Sequence, residues 1–275
     1  PASRLSFLDT IGNLYLRLGR PAEAVENFKT GSNEAAQLRV SSDYLATSYN
    51  NLAVAYQTLA KTFNGQDTAV QRSEALRNAQ QSYRKSLEVN PLNMQALDGF
   101  LNVTSRLGEA AALQQELLKK LAASPNDAQI QYSMGALLSL EERYAESLDY
   151  FQRAETFGSA GEVFYFNYGF ALSRLGKTDD AIDKFLQALR GDPIFTEAHY
   201  NLALLYVQKG NYDAAGLHLE DVLTREPAHI AANMKLSEIY AYQGKLALAR
   251  QHLQQVLRAA PQNSQALSLL QKIGS

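Results

Sequence analysis

Residues 196–229 read TEAHYNLALLYVQKGNYDAAGLHLEDVLTREPAH. The first half carries apolar residues at helical spacing, Leu202, Leu205 and Tyr206, and the second half repeats the pattern with Leu219, Val222 and Leu223. Gly210 lies between them, where a glycine permits the backbone conformation of a tight turn. The small residues Ala203 and Ala215 let two paired helices approach closely. Pro227 ends the second helix, because helical hydrogen bonding cannot continue through it. The stretch therefore predicts a helical hairpin of 34 residues.

The same spacing runs through the chain. Pro91 and Pro125 are 34 residues apart, as are Pro193 and Pro227, and Pro227 and Pro261; Ser159 fills the midpoint between Pro125 and Pro193. Gly176, Gly210 and Gly244 recur at 34, followed by Ala181, Ala215 and Ala249 and by Leu189, Leu223 and Leu257. Gly135, Gly169, Ala203 and Ser237 mark a small position early in each unit. A generic helical bundle has no reason to keep such a register. The pattern of Leu-Gly, Tyr, Ala, an aromatic, Ala and Pro over 34 residues resembles the tetratricopeptide repeat. That resemblance implies an all-α fold, a right-handed superhelical solenoid of antiparallel helix pairs.

Seven units follow, about 5–38, 42–93, 94–127, 128–161, 162–195, 196–229 and 230–263, all within one solenoid spanning 1–275. Residues 264–275, with Ala266, Leu267, Leu270 and Ile273 at helical spacing, are expected to cap the stack. The repeats over 5–93 are long and irregular, that at 94–127 is degenerate, and those over 128–263 are regular. In 94–127, Leu101, Leu113 and Lys120 replace small residues; 128–161 lacks its turn glycine and its proline. In 42–93, 26 residues separate Ala53 from Ala79 where a regular unit has 12. The extra residues centre on the turn signal Asn64-Gly65, and the composition of 69–78 favours lengthened helices over a loose loop.

Charge is nearly balanced, with a formal net charge of -2, which gives no bulk field for nucleic acid or anionic membrane. No apolar run approaches a membrane span of about 18 residues. There are no cysteines, hence no disulfide framework, thiolate nucleophile or cysteine metal site. A cytoplasmic and a periplasmic location fit this equally well. The start at Pro1 suggests a fragment or processed form.

Catalytic constellations are not found, so no enzyme activity, cofactor or metal is expected. Gly158-Ser159-Ala160-Gly161 reads as a turn between units. His218 and His252 occupy equivalent positions on neighbouring second helices, with Glu220 and Asp221 close by. Such positions lie about one helix-packing distance apart, roughly 8–10 Å, too far to share an ion. All four histidines, His199, His218, His229 and His252, are therefore expected at the surface.

The family resemblance implies that first helices line a concave groove. Carried onto this chain, its binding positions include Asn13, Asn51, Asn102, Tyr132, Phe166, Asn167, Phe170, Arg174, Tyr200, Asn201, Met234 and Tyr242. The front half of this surface is polar and the back half aromatic. Tyr132, Phe166, Phe170 and Tyr200 would form an exposed row for an apolar peptide or helix, while Asn51, Asn167 and Asn201 would grip its backbone. The carboxylate clamp of chaperone-binding members is not carried over: Asp9, Asn13, Asn51, Gln95 and Gly99 occupy its sites, with its asparagines but without its cations. The implied function is a non-catalytic scaffold or adaptor for a protein or peptide. The alternatives are an interaction domain of a larger enzyme or membrane protein and a self-assembling homo-oligomer.

Overall fold

The computed structural model describes residues 2–274. They form fifteen α-helices and one short 3-10 turn, with no strand among the described residues. The chain divides into two compact units, Pro1–Ser159 and Ala160–Ser275.

The first unit holds α1 (Ala2–Arg17), α2 (Pro21–Gln37), α3 (Ser42–Thr62), α4 (Ala69–Val89), α5 (Met94–Arg106), α6 (Ala110–Ala123), α7 (Ala128–Leu140) and α8 (Tyr144–Thr156). The second holds α9 (Glu162–Arg174), α10 (Thr178–Gly191), α11 (Thr196–Gln208), α12 (Tyr212–Arg225), α13 (Ile230–Tyr242), α14 (Leu246–Ala259) and α15 (Ser264–Gly274). Helices alternate in hairpins, and α3 and α4 are 21 residues each against 13 and 14 for α11 and α12. The additional residues of that repeat thus extend both helices, by about 10 Å at 1.5 Å per residue.

The proline lattice fixes where first helices begin. Two residues beyond a lattice proline stands an N-cap: Asn93 accepts from the Ala96 amide, Asp127 from Gln129 and Ile130, His229 from Ala232, and Asn263 from Ala266. Each cap satisfies amides that the first helical turn leaves without partners. At the junction inside each hairpin, Gly176, Gly210 and Gly244 have φ near +72°. Glu142 takes the same place between α7 and α8 with φ +60°, a backbone conformation that carries a steric cost for any residue with a Cβ.

Within hairpins a small residue on the first helix receives a large one sixteen positions later. A Cβ on Gly12 would meet the Phe28 ring at 2.7 Å, and one on Gly135 or Gly169 would meet Phe151 or Phe185 at 3.1 Å. All three rings are fully buried. In the second unit Ala203 and Ala215, both fully buried, join Leu219, Val222, Ala232 and Leu236 in one core.

The degenerate repeat departs from this arrangement. Leu101 is buried and Leu113 half-buried where regular units place small residues. Helix α6 buries Ala110 and Leu117 alone. A cavity of about 590 Å³ opens beside it, lined by Leu87, Leu97, Phe100, Leu113, Leu117 and Ile130 among others.

Candidate functional site

In the first unit two of the three polar candidates, Asn13 and Asn102, are hydrogen-bonded within the protein. The Asn13 Nδ2 donates to the Asp9 carbonyl at 2.9 Å, one turn back on its own helix. Asn102 Oδ1 accepts from Gln57 Nε2 at 2.9 Å, and Gln57 Oε1 in turn accepts from the buried Tyr83 hydroxyl at 2.8 Å. This chain of bonds joins α3, α4 and α5. Asn51 is half-buried on α3.

Tyr132 requires a correction. Its ring is fully buried, 6.1 Å from Phe151 and tilted 48° to it, so it offers nothing to a ligand. The cause is the position of α7, which packs on α5, α6 and α8 and has every residue from 131 to 138 buried. A helix enclosed on all sides has no face left to line a groove.

In the second unit the aromatic candidates are half-exposed and partly packed. Phe166 and Phe170 stack at 6.5 Å, one turn apart on α9. Phe166 also lies 5.6 Å from the buried Phe185 and 4.9 Å from Phe195, the N-cap of α11. Tyr200 repeats this contact one unit later, 5.4 Å from His229 at the start of α13. Each ring therefore bridges to the entry of the next hairpin and keeps an edge toward solvent. Asn201 Nδ2 donates to the Glu197 carbonyl at 2.7 Å, and Asn167 is half-buried beside Phe166. Arg174 is exposed in the last turn of α9, where a cation is favoured.

At the far end of this unit, Tyr242 is 74% exposed and lies 4.8 Å from Tyr212. Met234 is a second correction: it is buried against Leu253, Val256 and Ala266. Helices α14 and α15 supply that cover, so Met234 serves the core.

The histidines differ most from expectation. His199 is buried and His218 half-buried, with their Nδ1 atoms 2.9 Å apart. The Asp221 carboxylate approaches His199 Nδ1 to 3.3 Å. His199 Nε2 lies 3.1 Å from the Pro193 carbonyl oxygen. Burial, reinforced by the neighbouring His199, holds the His218 pKa below its ordinary value, against an opposing pull from Asp221. His252 is likewise lowered, mainly by burial, while Glu220 opposes the shift.

A signal for these residues was present in the 34-residue spacing. Gln131, His199 and Asn233 share one repeat position, and each donates to the carbonyl of the lattice proline six residues earlier, at 2.6, 3.1 and 3.0 Å. A polar residue recurring at a position next to core residues such as Ala198 and Leu202 marks an internal hydrogen bond.

Two family profiles, each described as tetratricopeptide repeat, match residues 170–227 and 207–273. Among curated proteins, the chain is 31% identical over 100 residues to "TPR repeat-containing thioredoxin TTL4" of Arabidopsis thaliana, covering 36% of this chain and 15% of that protein. It is 29% identical over 100 residues to "Peroxisomal targeting signal receptor" of Candida albicans, covering 35% of this chain and 17% of the receptor. The chain thus spans well under a quarter of either relative. Among solved structures it is similar to YrrB, described as "a TPR protein with an unusual peptide-binding site", with a TM-score of 0.56 and 22% identity over 68% of this chain and 96% of that one. No helix among the described residues is long and apolar enough to cross a membrane.

Proposed function

We propose that this chain, a tetratricopeptide-repeat protein, is a non-catalytic module that holds a peptide or helix of a partner protein against the first helices of its second unit. The observation that carries the reading is the half-buried aromatic pair Phe166 and Phe170, with the half-buried Tyr200 one repeat on. Rings that are anchored at one edge and open at the other present large apolar area at low entropic cost. Asn167 and Asn201 adjoin them with amide groups suited to an extended backbone. The targeting-signal receptor among the curated relatives, a protein that by its description binds a signal, agrees with this choice.

The matched stretch is a minor part of both curated relatives. That favours, as a second reading, the same module acting within a longer protein.

The test is a peptide-display selection against the intact chain, followed by anisotropy titration of the selected peptides. Phe170→Ala and Tyr200→Ala should each weaken binding by about 2 kcal/mol, as anchor residues do, with unchanged helical circular dichroism. Peptides that bind both variants as tightly as the parent would place the ligand elsewhere and end this reading.

A further inference from the structure

The imidazoles of His199 and His218, together with Asp221, converge from α11 and α12 of one hairpin. One ligand atom from each lies within 4.8 Å of the other two. The hydrogen bonding of His199 defines its ring chemistry. The Pro193 carbonyl can only accept, so Nε2 of His199 carries the proton and its Nδ1 accepts from His218 Nδ1, whose proton passes to the other ring nitrogen or to water when both Nδ1 atoms bind one ion. Metal-bound imidazoles are held in this way, with the distal N–H on a backbone carbonyl and the other nitrogen free to coordinate. The His218 ring is also fixed, stacked on Tyr206 at 5.6 Å with an interplanar angle of 3°.

The next repeat shows what this scaffold looks like without those ligands. Asn233 stands at the position of His199 and donates to the Pro227 carbonyl at 3.0 Å. His252 stands at the position of His218, with its Nδ1 2.9 Å from Asn233 Oδ1 and its ring stacked on Tyr240. Gln255 stands where Asp221 does. Asparagine thus fulfils the structural requirement at the position of His199. Having His199 and Asp221 in place of asparagine and glutamine turns an amide pair into an imidazole and a carboxylate.

We propose that His199, His218 and Asp221 form a binding site for a divalent transition-metal ion of the zinc class, with solvent at the remaining positions. Two imidazoles and one carboxylate make a common three-ligand set for zinc. Nitrogens about 2.05 Å from one ion and 2.9 Å apart subtend an angle of about 90°. A small ring rotation opens this toward tetrahedral. Asp221 is more than half exposed and gives the ion its route from water. The bound ion would fasten α11 to α12.

The test uses the intact, untagged chain, stripped with a chelator and titrated with zinc chloride by calorimetry and with cobalt(II) by absorption. One equivalent should bind, with a cobalt spectrum that shows nitrogen ligation. His199→Asn and Asp221→Gln install what the next repeat already carries, so both variants should fold. Each should weaken binding by at least about tenfold, the loss that even an outer partner brings. His252→Gln should leave it unchanged. Absence of saturable binding, or binding that survives both swaps, overturns the proposal; a loss caused by His252→Gln alone would do the same.

Discussion

Gly99 on α5 faces the Tyr83 ring on α4 so closely that a Cβ at Gly99 would lie 2.3 Å from the ring carbon Cζ. Tyr83 is buried and its hydroxyl is bonded to Gln57, so the ring has no room to retreat. Gly99→Ala should therefore lower stability by about 1–3 kcal/mol, the usual range for overpacking. The urea midpoint checks this; an unshifted midpoint would mean that the α4–α5 contact is loose.

Glu142 offers the opposite case. It sits in the left-handed region at the turn where the neighbouring repeats use glycine, and it is exposed. Glu142→Gly removes a steric cost of about 1 kcal/mol, partly offset by the greater freedom of glycine in the unfolded chain. Thermal unfolding should shift upward by about 1–2 °C. A downward shift would show that the Glu142 side chain contributes something its geometry does not reveal.

Ala203 on α11 and Ala215 on α12 are both fully buried in one core. Replacing either with leucine should cost about 1–3 kcal/mol, read from denaturant midpoints. The two sites share neighbours, so the double variant should depart from additivity.

These alanines also show what the sequence made legible. Position in the 34-residue lattice marked Ala203, Ala215, Leu219 and Val222 as packing residues, and all four are fully buried, whereas the pairing of Gly169 with Phe185 came only with the structure. The lattice prolines marked where second helices end, but that the residue two beyond them caps the next helix emerged only with the structure. It could not distinguish Tyr132 from Tyr200. They share a repeat position, yet α7 is enclosed and α11 is not, a difference set by how each flanking helix packs. Met234 was hidden for the same reason, since its cover comes from α14 and α15. The His199–His218 contact spans the two halves of a hairpin, and comparing equivalent positions in successive repeats does not reveal a pairing inside one repeat.

Both lowered histidines predict an acid-sensitive second unit in metal-free buffer. The unfolded chain takes up the proton at about pH 6.5, whereas folded His218 and His252 resist it because burial disfavours the charged ring. Between the unfolded and folded pKa values the unfolded state binds more protons, so stability falls as pH falls. His199, Asp221 and the Tyr206 ring surround His218; Asn233, Glu220 and the Tyr240 ring surround His252. The acidic neighbours moderate the loss without reversing it. The stabilising contribution should be complete above about pH 7 and decline below about pH 6.5. A double His218→Gln, His252→Gln variant should show a flatter melting temperature over that range. Equal slopes for variant and parent would assign the acid sensitivity to other groups.

The rings proposed for partner binding should differ in what they contribute to folding. Phe166 touches Phe170, Phe185 and Phe195, and Phe185 is fully buried. A fully buried phenylalanine loses about 3–5 kcal/mol on truncation to alanine. Phe166 is half-exposed, which brings the expected cost of Phe166→Ala to about 2 kcal/mol. Tyr242 has one ring neighbour, Tyr212, and is 74% exposed, so Tyr242→Ala should remain within about 0.5 kcal/mol of the parent. Chemical denaturation of the two variants side by side measures the contrast. Equal, small effects would mean that the Phe166 ring contributes little to joining α9 with the start of α11. Equal, large effects would mean that Tyr212 and Tyr242 form a structural clasp despite their exposure, and Tyr242 would then drop out of the binding surface.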